Sequence, residues 1–444
     1  MRTIIASTFM LFLLIAQAQE EKNSFSLDEA TAFALEHNYN VINANRDIID
    51  AQKQKWETIA TGLPQISGAV SYQNQLIQPV SQIPAEFFPD GVPGTFVEVV
   101  FGQPQSANAS ATLKQQIFDG SYIVGVQATK AFLSYSQNNK EKTDLEVRKA
   151  VVEAYGNVLL AQESASILQK DKENLEKTLF ETKKVFENGL GDEESVDQLQ
   201  ITLSSIENQL KNARRLEKIT LQMLNLIMGI SIDNNTILTE NLDKLTQAKI
   251  DPSLLESELV MENNVDFKLA QNLNEQRYFE LKLAKSRALP SLNAFVNYGA
   301  NSFSDSFNFL SSGQQWFEQS ILGVDLSIPI FSSLGRSAST QRAKIAYEKA
   351  KTQLTEAQEQ IRLQLESAKS DYTLSIEEYE TSKQNLKLAE RIENKNQIKY
   401  TEGLATSFEL QQAQTQLYAT QQEYLQSMVD VINRKTALEV ILNQ

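Results

Sequence analysis

The side chains that most often carry out chemistry in proteins are scarce or scattered in this chain. It contains no cysteine and a single histidine, His37, so a disulfide, a thiolate site and a histidine cluster for zinc are excluded. Its 56 acidic side chains are spread along segments with helical periodicity, where a charged face is usually solvated. No glycine-rich phosphate loop or nucleophile motif occurs. The sequence therefore predicts a protein that is not an enzyme and needs no cofactor or metal.

The first 18 residues have the layout of a secretory signal peptide. Arg2 gives a basic start, an apolar run extends from Ile4 to Ile15, and Ala16-Gln17-Ala18 is a small-x-small cleavage site. The run is shorter than the roughly 20 residues that a spanning helix needs. We therefore predict an exported chain that begins at Gln19. The formal net charge of −15 predicts that the chain repels nucleic acid.

Two long proline-free stretches predict long helices. No proline occurs between Pro104 and Pro252 or after Pro329, and both stretches are rich in Leu, Ala, Glu, Gln and Lys. Small and apolar residues recur in them at alternating spacings of four and three, which is typical of coiled coils. They are Val147, Val151, Ala154, Val158, Ala161, Ala165 and Leu168; Leu199, Leu203, Ile206, Leu210 and Ala213; and Leu410, Ala413, Leu417, Thr420, Tyr424, Met428 and Val431. A helix from about Tyr122 to Asn188 would span roughly 100 Å.

The chain is also a tandem repeat. Leu289-Pro290 stands 226 positions after Leu63-Pro64, and Gly403 stands 214 positions after Gly189. Each repeat is predicted to open with a capping box, Ser26-x-x-Glu29 in the first and Ser253-x-x-Glu256 in the second. The predicted boundaries are residues 1–18 for the signal peptide, 19–229 for the first repeat, 230–252 for a linker and 253–444 for the second repeat.

Four segments of about ten residues alternate apolar and polar side chains, as strands of an outer-membrane barrel do. Their apolar positions are Ile66, Val70 and Tyr72; Ala107, Ala109, Ala111, Leu113 and Ile117; Leu292, Ala294, Val296, Tyr298 and Ala300; and Leu322, Val324, Leu326, Ile328 and Ile330. Closed barrels start at about eight strands, so four cannot close alone. The chain must therefore oligomerise, and three chains would contribute twelve strands. In such a barrel residues 76–106 and 302–319 are the loops.

This order of elements resembles the outer-membrane efflux factor family, the TolC-like channels. The resemblance rests on the two Leu-Pro strand entries, on Ile117-Phe118-Asp119-Gly120 and Ile330-Phe331, and on the two glycine turns. It implies a homotrimer with a twelve-stranded barrel in outer-membrane lipid and a long α-helical coiled-coil tunnel through the periplasm. It also implies docking to a periplasmic adaptor and an inner-membrane pump, in tripartite efflux or type I secretion.

The resemblance also implies roles for residues at the glycine turns. Gly189, Leu190, Gly403 and Leu404 correspond to the tips where adaptors dock. Tyr400 matches a tyrosine of the family's closing lock, and Glu409 matches an acidic ring at the entrance. Ser195 replaces an acid of that lock, with Asp197 nearby, so the lock is only partly retained.

Simpler interpretations of these residues remain open. Thr406-x-x-Glu409 is also a capping box, and Asp192-Glu193-Glu194 suits a helix N-terminus. Tyr400 could serve packing alone.

Two other functions compete with a channel. A periplasmic adaptor also carries long helical hairpins, but we would expect compact β-domains outside them. A coiled-coil scaffold protein explains the heptads and leaves the alternating strands unexplained.

Overall fold

The structure, a computed structural model, describes residues 23–443. The predicted signal peptide lies outside these residues. The helices are α1 Leu27–His37, α2 Tyr39–Ala60, α3 Gly120–Glu187, α4 Glu193–Met228, α5 Leu242–Lys249, α6 Val265–Ser286, α7 Gly335–Thr401 and α8 Ser407–Leu442. The strands are β1 Ser24–Phe25, β2 Gln65–Asn74, β3 Val80–Pro84, β4 Phe96–Val100, β5 Gln105–Asp119, β6 Ile237–Leu238, β7 Ser291–Ser304 and β8 Phe317–Ser327. Within residues 23–443, no helix is both long enough and apolar enough to cross a bilayer.

The chain divides into two compact units, and the first of them is helical. It comprises the residues up to Ile49, Tyr135–Gln271 and those from Thr352 onward. Here α3 and α4 form a first helical hairpin, and α7 and α8 form a second. Every residue of the predicted α3 and α4 stripes is buried, as are the predicted α8 positions apart from the half-buried Tyr424. The prediction of long helices with a coiled-coil core is confirmed, since α3 alone runs for 68 residues.

Two buried asparagines hold equivalent places in the two repeats. The Nδ2 group of Asn38 donates to the carbonyl of Ile227 near the end of α4, while its Oδ1 accepts from the first backbone N–H groups of α2. Asn264 does the same for α8 and α6, with its Nδ2 donating to the Ile441 carbonyl. Each asparagine therefore ties the returning helix of a hairpin to the start of another helix.

The two predicted capping boxes differ in outcome. Ser26 and Glu29 form a complete box at the start of α1, with hydrogen bonds in both directions. The prediction for Ser253 and Glu256 is wrong. Pro252 occupies the first position of a short 3-10 helix there, and the carboxylate of Asp251 caps it by accepting from the Ser253 backbone N–H.

The second unit contains all the strands except β1 and β6, which pair with each other in the first unit. It comprises Asp50–Ser134 and Asn272–Lys351, and its main sheet is antiparallel in the order β2-β5-β7-β8. All four predicted strands are present. The last one ends at Ser327, short of the predicted Ile330, because Pro329 cannot donate to a ladder. The predicted loop over residues 76–106 contains a further antiparallel hairpin, β3–β4, which the sequence interpretation missed.

The two faces of this sheet differ as the alternation predicts. On one face large apolar side chains are exposed, with Val70 83 % and Leu322 77 % accessible. On the other, the Asn108 amide donates to the Asn301 amide oxygen at 2.6 Å, and Asn297 donates to the Thr112 hydroxyl at 2.7 Å. One face is therefore apolar, and the other carries cross-strand hydrogen bonds between side chains.

Candidate functional site: the two turns of the helical hairpins

The two hairpins close through turns of the same backbone geometry. We call residues 188–192 the first turn and residues 402–406 the second turn. Gly189 has φ +75° and Gly403 has φ +72°, the left-handed region that favours glycine. The N–H of Leu190 donates to the Val185 carbonyl at 3.0 Å, and that of Leu404 to the Lys399 carbonyl at 2.7 Å. Both turns are therefore Schellman motifs that end a long helix.

The helices that leave the two turns are capped by different chemistry. Asp192 caps α4, with its Oδ1 accepting from the Ser195 backbone N–H at 2.6 Å. This hydrogen bond lowers the pKa of the Asp192 carboxyl. Thr406 caps α8 in a capping box with Glu409, whose Oε2 accepts from the Thr406 N–H at 2.8 Å. That bond likewise lowers the pKa of Glu409.

Side-chain hydrogen bonds join the two hairpins close to the turns. The hydroxyl of Ser195 donates to that of Ser407 at 3.1 Å, and Ser407 donates to the Gln198 amide oxygen at 2.8 Å. The hydroxyls of Thr182 and Tyr400 lie 2.9 Å apart. These contacts link residues more than 200 positions apart in the chain. The groups that make these contacts are uncharged hydroxyls and an amide.

A cavity of about 650 Å³ lies between the turns. It is lined by these hydroxyl and amide groups, by Phe408, and by the acidic residues Glu181, Asp192 and Glu194. Of the predicted gate residues, Tyr400 and Ser195 line it directly. Asp197 is exposed, and Glu409 is engaged with Thr406 in the cap. The sequence interpretation missed Thr182, Gln198 and Ser407. Their roles depend on contacts between hairpins, which no local spacing reveals.

The predicted tip residues present apolar surface. Leu190 is 82 % exposed and Leu404 is 78 % exposed, one in each turn. Phe408, one residue into α8, is also largely exposed. Large apolar side chains that stay accessible at the end of a helical hairpin are suited to contact with another protein.

The sequence signature of the family described as outer membrane efflux protein matches residues 33–230 and 257–444. The chain belongs to this family. Two curated relatives match part of it. The Outer membrane protein TolC of Vibrio cholerae is 24 % identical over 260 residues, which are 56 % of this chain and 57 % of that protein. The Alkaline protease secretion protein AprF of Pseudomonas aeruginosa is 23 % identical over 248 residues, 54 % of this chain and 50 % of that protein. The chain thus spans about half the length of the curated relatives it matches.

Solved structures extend the likeness to nearly the full chain. The outer membrane protein VceC of Vibrio cholerae has a TM-score of 0.70 at 16 % identity and covers 94 % of this chain and 95 % of its own. The CmeC outer membrane channel of Campylobacter jejuni has a TM-score of 0.73 at 16 % identity, covering 96 % and 90 %. The open-state MtrE outer membrane channel of Neisseria gonorrhoeae has a TM-score of 0.71 at 16 % identity, covering 94 % and 88 %.

These comparisons confirm the TolC-like fold and place the protein in the outer membrane. They decide against the adaptor and the scaffold as the class of protein.

Proposed function

We propose that the protein is the outer-membrane channel of a tripartite efflux or type I secretion system. In this role it is a passive conduit, without catalysis, from an inner-membrane pump and periplasmic adaptor to the exterior. Membership in the outer membrane efflux protein family and the likeness to TolC and to the alkaline protease secretion protein AprF support this proposal.

The main observation in support of the proposal is that the four-stranded sheet has two edge strands without a neighbour among the described residues. Within the residues that the structure describes, the four-stranded sheet ends at β2 on one side and β8 on the other. Because all neighbours are antiparallel, β2 and β8 run in opposite directions. The β8 edge of one copy can therefore pair with the β2 edge of the next in the same antiparallel sense. Exposed edges and a broad apolar face are unfavourable in isolation, and ring closure removes the edges.

Three copies would give the twelve strands of the proposed barrel. The apolar face that contains Val70 and Leu322 would contact outer-membrane lipid. The face with Asn108 and Asn301 would line the lumen, where its hydrogen bonds hold polar groups beside water. The mature chain, residues 19–444, would reach the membrane after cleavage of residues 1–18. Its two repeats, residues 19–229 and 253–444, would be joined by the linker 230–252.

The turns give this channel its proposed periplasmic end. Leu190 and Leu404, each held by a glycine, form the docking surface for the adaptor. Tyr400 and Ser195 belong to a closing contact, and Glu409 and Asp197 place negative charge beside it.

The proposal is tested by membrane fractionation followed by conductance in planar bilayers. We expect the protein in the outer-membrane fraction and discrete, stable current steps from the detergent-extracted protein. The matched variant is Leu322→Asp, which puts a charge on the proposed lipid-facing surface and should reduce insertion into the bilayer. Recovery of the wild type in the soluble fraction, or the absence of current steps from well-folded protein, would overturn the proposal.

A further inference from the structure

A buried carboxylate lies where the first hairpin packs against the second, 18 residues before Gly189. Asp171 on α3 is 9 % exposed, and its Oδ2 atom has no hydrogen-bond partner among the described residues. Gln414 on α8 is 5 % exposed, and its Oε1 atom is likewise unpartnered within residues 23–443. Leaving a buried acceptor unsatisfied is unfavourable, by about 1–3 kcal/mol for a neutral group and by more for a charged one. Two unsatisfied oxygens between the two hairpins indicate that a hydrogen-bond donor binds here.

The side chains around Asp171 add negative charge to the site and bring little positive charge to balance it. Glu393 on α7 acts on it electrostatically and is hydrogen-bonded to the side chain of Gln414. Tyr418 on α8 is next to both acids, and its burial beside them raises the pKa of the phenol. On its own helix, Lys170 is exposed and only partly offsets the effect.

Two further cations in this part of the hairpin have other partners. Lys172 lies 3.4 Å from Glu176 and 3.1 Å from Glu207 of α4. Arg214 of α4 donates to the Gln169 amide oxygen at 2.9 Å. Within the described residues, Asp171 therefore takes part in no ion pair. Nor does this part of the chain hold a group of three or more acids or histidines arranged for a metal ion.

Burial and the charge of Glu393 together raise the pKa of Asp171 to about 7. Burial also raises the pKa of Glu393, although its hydrogen bond with Gln414 opposes the change. Two carboxyl groups in one site rarely ionise together, because the first charge disfavours the second.

We propose that Asp171 and Glu393 form a proton-binding site in the seam between the two hairpins. The proton comes from solvent, forms an O–H bond on a carboxyl oxygen, and returns to solvent when the site opens. The bound proton turns an unpartnered acceptor into a donor and removes the repulsion between the acids. Its loss leaves two like charges facing each other across the seam, and this weakens the contact between the hairpins.

Because the pKa of Asp171 is higher in the folded chain than in the unfolded chain, its contribution to folding stability depends on pH. In the unfolded chain Asp171 loses its proton near pH 4, whereas in the folded chain it keeps the proton to about pH 7. Between these values the folded state binds more protons, so this group makes stability fall as the pH rises. Above about pH 7 its contribution no longer changes.

The site can be tested on the full-length protein in detergent, in whatever oligomeric state it adopts, so the result is independent of the proposed channel. We would record infrared difference spectra between about pH 5 and pH 8 for the wild type, Asp171→Asn and the control Glu163→Gln, which alters an exposed acid earlier on α3. We expect a protonated-carboxyl band that titrates near pH 7 in the wild type and the control and is lost in Asp171→Asn.

Thermal unfolding provides the second measurement. The wild-type and Glu163→Gln midpoints should fall more steeply between about pH 5 and pH 7 than the Asp171→Asn midpoint does. The wild-type spectrum tests the site even if Asp171→Asn folds poorly. A wild type without the titrating band, a band that persists in Asp171→Asn, or parallel unfolding profiles would overturn the proposal.

Discussion

The two helical hairpins share a backbone plan but differ in the chemistry placed on it. Their turns have the same glycine conformation and the same Schellman hydrogen bond, and an asparagine anchors each hairpin at its other end. The sixth position after the glycine is Ser195 in the first hairpin and Glu409 in the second. Eighteen residues before the glycine of the first hairpin lies Asp171, and its counterpart 214 positions on, in the second hairpin, is Asn385. The comparison teaches that chain reversal and anchoring fix a few residues, while charge is free to differ between the repeats.

The largest expected effect is at the asparagine anchors. Asn264→Ala removes a bond to the Ile441 carbonyl and two helix-capping bonds, and should cost about 3 kcal/mol of unfolding free energy. Asn38→Ala should cost a similar amount, because it loses the same set. Chemical denaturation measures both. A difference of more than about 1.5 kcal/mol would show that the anchors are not equivalent.

Next in size are the glycine turns. Gly189→Ala and Gly403→Ala each force a side chain into the left-handed region and should destabilise the protein by about 1–2 kcal/mol. Space does not limit either site, since a Cβ atom there would meet nothing within 4 Å. Gly313→Ala, in open space without a positive φ, is the control and should be nearly neutral. If the turn variants are as stable as this control, the left-handed backbone conformation is not the reason that glycine occupies these two positions.

The junction between the hairpins should respond more weakly. Tyr400→Phe removes the contact with Thr182 and should cost about 1 kcal/mol while raising the fraction of time that the channel is open. Single-channel recording measures the open fraction, and Thr182→Val is the matched variant from the other side of the bond. Unchanged opening in both would restrict Tyr400 to packing.

The smallest effect is expected at Glu409, where one substitution can distinguish a helix-capping role from a gating role. Glu409→Gln keeps an oxygen that can accept from the Thr406 N–H, so stability should change little, while cation preference should decrease. Asp197→Asn removes the predicted gate acid of the first hairpin, which is exposed like Glu409. Reversal potentials under a salt gradient measure the preference. If Glu409→Gln leaves it unchanged, the residue is a helix cap alone.

Much of the fold can be predicted from sequence because its signals are local and repeated. The apolar stripe from Val147 to Leu168 and the alternation in β5 and β7 each specify one face over many residues. The hairpin β3–β4 was missed because prolines at 79, 84, 89 and 93 indicated a loop. The capping box at Ser253 failed because Asp251 and Pro252 start the helix first.

The candidate site was less accessible to such reasoning. Glycine turns and helix caps are short-range patterns, so Gly189, Gly403 and Thr406 could be located directly. The partners of Tyr400 and Ser195 could not, because Thr182 and Ser407 reach them only after the two hairpins pack.

The most direct test of the account is the native mass of the detergent-extracted mature protein. Pairing of β8 with β2 of the next copy, repeated to closure, predicts a complex of three chains with no stable monomer. A monomer that retains its sheet, or a complex whose mass does not correspond to three copies, would contradict the composite channel.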